Sequence, residues 1–90
     1  MAKRNVQQTS ILAFFSINNL GERQRQVYQV LSDQGAACNA ELSMTMGLPI
    51  NQITPRVKEL RDKGLVEEAY RGVWEPTNKT VIYWRVASAL

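Results

Sequence analysis

Apolar residues along this 90-residue chain recur first at helical and then at strand spacing. In LGERQRQVYQVLSDQG, Val27, Tyr28, Val30 and Leu31 return at helical intervals, Glu22 suits the amino-terminal dipole, and Gly35 offers a left-handed stop. A helix is predicted there. Ala36, Ala37 and Cys38 follow as a short extended bridge, with Asn39 placed to cap the next element. In NAELSMTMG the residues Leu42, Met44 and Met46 alternate as a strand would, yet Leu42 and Met46 also lie one helical turn apart. Cap candidates before the segment and Gly47 after it favour a short helix.

Residues 50–63 carry the clearest periodicity. Ile53, Val57 and Leu60 line one face at i, i+4 and i+7, the other positions are mostly polar, and Gly64 ends the run. Pro55 is awkward inside it, because proline removes one backbone hydrogen bond and crowds the turn before it. Two starts accommodate the ring: near Asn51, or a restart at Thr54 with Pro55 in the first helical position. Beyond Gly64 the period shortens to two. Residues 65–70 and 80–86 are β-branched, aromatic and of strand length. RGVWEPTNK lies between them, and its Gly72, Pro76 and Asn78 predict a long hairpin loop.

At the other end of the chain, residues 1–8 are polar and predicted to be a flexible segment. Thr9 or Ser10 can cap a short helix from Ile11 to Ile17, ended by Asn18 and Asn19. Its apolar groups cover nearly the whole circumference, so it needs cover on more than one side. Completion of the small core is the favoured role, and a homodimer contact is the sharper alternative. ILAFFSI is too short to span a bilayer and lacks the cleavage pattern of a signal peptide. Together with the reduced state expected of a lone cysteine, this points to a cytoplasmic protein without a membrane partner.

Composition narrows the function. At 44% hydrophobic and 21% charged residues, the chain is ordinary globular protein and one domain long. Its net charge of +3 is compatible with nucleic acid without proving it. Residues 48–90 hold seven basic and five acidic side chains, while residues 21–47 hold two basic and three acidic. With no histidine and one cysteine, Cys38, neither a zinc site nor an internal disulfide can be built in the usual way. Nor does the chain hold a glycine-rich phosphate loop or a nucleophile paired with a base, so neither catalysis nor a cofactor is expected. Cys38 is expected to be a small buried hydrophobe.

Helix, bridge, short helix, glycine turn, polar-faced helix, hairpin: this order, with LGERQRQV and ELSMTMGLPINQITPRVKELRDKGLVEE, resembles winged helix-turn-helix regulators, especially small ones encoded by phages and prophages. The expected fold is α+β, mainly α, a helical core with a carboxy-terminal β-hairpin wing. Residues 9–90 form a single domain, with an extra helix at 9–18 and the winged helix proper at 21–86. The resemblance implies double-stranded DNA as partner, with helix 50–63 in the major groove.

With Ile53, Val57 and Leu60 inward, Asn51 and Thr54 are expected opposite the core, with Gln52 and Lys58 close by, as base readers. Arg56, Arg61, Arg23 and Arg25 are expected at phosphates, and Arg71 and Lys79 flank the wing. Glu67, Glu68 and Glu75 weaken the wing's pull on phosphate. Trp74 is expected to pack the hairpin rather than wedge between bases. A winged-helix adaptor that recruits or blocks a host factor is the alternative, since the fold serves both uses.

Overall fold

Residues 20–87 are described by a computed structural model. The expected flexible segment 1–8, the helix at 9–18 and the last three residues lie outside this range. Three helices precede one hairpin: α1 (Glu22–Gln34), α2 (Asn39–Met46), α3 (Ile50–Asp62), β1 (Val66–Trp74) and β2 (Lys79–Val86).

The three helices expected within the described residues are present. In α1, Val27 and Leu31 are fully buried, and Gly35 at φ 87° breaks the helix while its N–H reaches the Leu31 carbonyl at 2.9 Å. Ala37 then makes an antiparallel bridge to Trp84, exchanging hydrogen bonds of 3.0 and 2.8 Å. This is the short extended link predicted from Ala36-Ala37-Cys38, and it ties the start of α2 to the hairpin.

The cap of α2 lies one residue earlier than expected. The chain leaves the bridge extended through Cys38 (φ −89°, ψ 169°), so Cys38 is the N-cap and Asn39 the first helical residue. The thiol is buried in the core, and Glu41 satisfies the cap from the other side by accepting the Cys38 N–H at 3.2 Å. Gly47 ends α2 in the left-handed region at φ 65°, where an L side chain is strained. The Leu48 N–H returns to the Ser43 carbonyl at 3.1 Å, and the Ser43 hydroxyl donates to the Leu48 carbonyl, closing the turn.

The start of α3 is at Ile50, with Pro49 as N-cap, and the helix runs through Pro55 without a break. Pro55 is therefore the sixth helical residue, well inside rather than at the first position. The carbonyl of Asn51 loses the donor that residue 55 would supply, a placement about 3 kcal/mol less favourable than alanine. Ile53, Val57 and Leu60 are at most 1% exposed. They join Leu31, Leu42 and Trp84 in a core that all three helices and the hairpin share. Burying each of these aliphatic side chains contributes about 1.5–3 kcal/mol, which outweighs the misplaced proline.

The hairpin is longer and its loop shorter than the sequence predicts. β1 continues through Trp74, so Arg71, Gly72 and Val73 are strand residues paired with Ile82, Val81 and Thr80. A bulge falls between Glu68 and Tyr70. Gly72 looked like loop punctuation, but the Tyr83 ring lies over it: a Cβ there would meet Tyr83 Cε1 at 3.5 Å. Tyr83 in turn stacks on Tyr70, with ring centroids 4.8 Å apart. Cross-strand aromatic cover thus offsets the weak strand propensity of glycine. Only residues 75–78 turn, held by Asn78 (φ 55°), whose N–H donates to the Trp74 carbonyl at 2.8 Å.

Candidate nucleic-acid interface

The buried stripe of α3 decides which of its side chains can meet a ligand. At ~100° per residue, the direction opposite Ile53, Val57 and Leu60 is occupied by Asn51, Pro55, Lys58 and Asp62. All four are exposed, and Gln52 is exposed beside them. This ridge is what α3 offers to solvent most squarely.

Thr54 departs from the expected position. It lies on the flank of α3, where its hydroxyl oxygen accepts a hydrogen bond from Asn39 Nδ2 at 3.4 Å. It also lines a groove of about 330 Å³ with Ile50, Asn39, Ala40, Ile82 and Trp84. The reason is angular: four residues advance ~40° around a helix, so Thr54 falls close to Ile50 rather than opposite the core. Arg61 shares that flank. Its guanidinium sits 5.9 Å from the centre of the Trp84 ring, within cation–π range, and the side chain remains exposed.

Arg56 lies on the other flank, against α1. It donates from Nε and Nη2 to the two carboxylate oxygens of Glu59, at 2.8 and 2.9 Å, and the Gln24 amide of α1 donates to the same carboxylate at 2.6 Å. The Gln24 hydrogen bond foremost, and then Arg56, hold the Glu59 carboxyl below its ordinary pKa. The arginine chosen as a phosphate contact is thus already neutralised within the protein. Lys58 also has a partner, Asp62 at 2.9 Å, but both side chains are more than half exposed, which makes that pair weak and exchangeable. Of the arginines proposed on α1, Arg23 donates to Gln26 at 3.1 Å and Arg25 is exposed.

The wing carries its own pairs. Arg71 reaches Glu68 at 3.2 Å and Arg85 reaches Glu67 at 2.6 Å, so two of the three wing carboxylates that oppose phosphate are occupied, and Glu75 makes no ion pair among the described residues. Arg71 sits in mid-strand rather than beside a loop. Lys79 opens β2, is exposed, and makes no ion pair among the described residues. Trp74 is half-buried and lines a hollow of about 480 Å³ with Met44, Glu41, Gln34 and Pro76. It therefore faces the α1–α2 side of the domain, in keeping with a packing role.

Two features escaped the sequence reading. Pro55, at the centre of the outward ridge, reads in sequence as a helix breaker, although the ~100° step identifies its direction. The Gln24–Glu59–Arg56 network joins residues 35 positions apart, and nothing local in the sequence announces it. Among the described residues, no three His, Cys, Asp or Glu side chains are placed to hold a metal ion, and no helix is long and apolar enough to cross a membrane.

No protein-family model matches the chain, and no curated protein matches it. Solved structures do. A protein of Methanosarcina mazei Go1 named a possible transcriptional regulator superposes with a TM-score of 0.66 at 15% identity, over 84% of this chain and 63% of that one. The multiple antibiotic resistance repressor MarR gives 0.62 at 17% identity, over 90% and 57%. ZitR of Lactococcus lactis gives 0.59 at 19% identity, over 96% and 61%. The chain thus spans about three fifths of the length of each of these three. At such identities the likeness concerns the fold, and the fold is a winged helix-turn-helix: three helices followed by a two-stranded antiparallel wing.

Proposed function

We propose that the protein is a transcription regulator that binds double-stranded DNA sequence-specifically, with α3 in the major groove. One observation carries this reading: the apolar stripe of α3 is completely consumed by the core, leaving an exposed polar ridge next to a β-hairpin. A B-DNA major groove accepts one α-helix, and side chains near its amino terminus read base edges. Asn51 and Gln52 lie in the opening turn of α3, and an amide pairs in a bidentate manner with adenine. Lys58, Arg61 and Lys79 supply phosphate contacts, with Arg71 a weaker one because of Glu68. Thr54 contributes from the flank, and Arg56 acts by bracing α3 on α1. The names of the structural neighbours, two of them regulators or repressors, agree with this use of the fold.

The regulator acts as a homodimer on a palindromic site, joined through the helix expected at 9–17 or the carboxy-terminal tail. The resemblance of its motif segments to phage and prophage regulators suggests a similar setting. A labelled duplex, titrated with protein between ~50 and ~200 mM salt, tests the DNA reading. Four phosphate contacts from each protomer of the dimer give a slope of log K against log salt of about −7.2. A flat response contradicts it.

One observation favours a second reading, an adaptor that docks another protein. The hollow between α2 and the wing tip is lined by Trp74, Pro76 and Met44, and Met44 is 71% exposed. Co-purifying nucleic acid separates the two: its 260 nm absorbance is expected for the regulator and is lost in a variant without charge at Lys58, Arg61 and Lys79.

A further inference from the structure

The buried Cys38 has a packing explanation, whereas Pro55 has none. It interrupts the hydrogen-bond ladder of α3, yet its ring is exposed and so gains no core packing in return. It also stands at the centre of the outward ridge, one turn after Asn51 and one turn before Lys58. Every other member of that ridge is polar: Asn51, Lys58 and Asp62.

We infer that Pro55 is a specificity-determining residue whose ring packs on the 5-methyl group of a thymine, an inference that rests on the DNA-binding reading proposed above. The thymine methyl is the one apolar group that base pairs present in the major groove, and apolar side chains recognise it. A proline ring suits the task because it has no side-chain rotamers to lose on contact. Asn51 and Pro55 are four residues apart, ~6 Å along the helix, which is under two base-pair steps of ~3.4 Å. The thymine recognised by Pro55 therefore lies within two base pairs of the adenine recognised by Asn51. An adenine-plus-thymine element is what the amino-terminal half of α3 selects.

The test uses the full chain and a duplex selected by it from a random library at fixed salt. Each thymine is replaced in turn by deoxyuridine, which removes the methyl and keeps every hydrogen-bonding group. At one thymine per half-site, wild-type affinity falls about fourfold, the worth of one buried methyl. Pro55→Gly, which lacks any apolar side-chain atom, binds the thymine and deoxyuridine duplexes equally, and Lys58→Ala weakens both while keeping the fourfold ratio. Equal wild-type binding to all deoxyuridine duplexes overturns the inference while leaving DNA binding intact, as does unchanged methyl discrimination in Pro55→Gly. Failure to enrich any duplex overturns the inference and the DNA reading together.

Discussion

Glu59 grips Arg56 through two parallel hydrogen bonds and, with one of the same oxygens, takes the amide of Gln24 from α1. The contact sits where α3 leans on the first helix, and it turns a basic residue of α3 into a brace. Arg56→Ala should therefore lower stability more than DNA affinity. A partly exposed pair of this kind contributes up to about 1 kcal/mol, which for a chain this size is a fall in Tm of ~4–8 °C. Affinity should change less than twofold, as checked by anisotropy titration at constant salt. Glu59→Gln, which releases Arg56, should instead tighten non-specific binding.

The same carboxylate makes stability depend on acid. Its folded pKa lies below the ordinary value of 4.5, chiefly through the Gln24 hydrogen bond and then Arg56. A depressed folded pKa means that the contribution is complete above about pH 4.5 and is lost as pH falls through the lower folded value. Urea unfolding at pH 6 and at pH 3 should show a smaller loss between the two in Glu59→Gln than in wild type. An identical loss in both proteins would assign the acid sensitivity to other carboxylates, Asp62 beside Lys58 among them.

Pro55→Ala should raise stability while impairing recognition. Restoring the missing N–H inside α3 gains about 1–2 kcal/mol, or ~4–16 °C in Tm, after allowance for the freer unfolded chain. Calorimetry checks the sign. A variant that melts lower would mean that the ring makes contacts its exposure does not reveal.

The two tryptophans should behave differently. Trp84 is 8% exposed, bridges to Ala37 and joins the common core, so Trp84→Ala should cost about 3–5 kcal/mol and leave little folded protein. Trp74 packs beside the wing turn over an open hollow, and Trp74→Ala should cost far less. Circular dichroism melts of the two variants distinguish them.

Much of this fold was legible because its signals are local. Ile53, Val57 and Leu60 report their own periodicity, and Gly35, Gly47 and Gly64, all at positive φ, mark where helices must stop. The extent of β1 was hidden because Gly72 reads as loop until Tyr83, on the partner strand, is seen to cover it. The cap of α2 moved to Cys38 because a tertiary bridge, Ala37 to Trp84, keeps the chain extended up to that residue. The candidate site was legible as a helix face, yet not residue by residue. Thr54 turns to the flank through helical angle alone, and Arg56 is claimed by a glutamate and a glutamine brought together only by the packing of α1 on α3.

Parallel selections from a random duplex library, with wild type and Asn51→Ala at the same salt, bear most directly on the claim that the outward ridge of α3 reads bases. Wild type should enrich a short two-fold-symmetric motif, and Asn51→Ala should enrich the same motif with preference for adenine lost at one position per half-site. Enrichment of no motif by wild type, or of an unaltered motif by the variant, would contradict it.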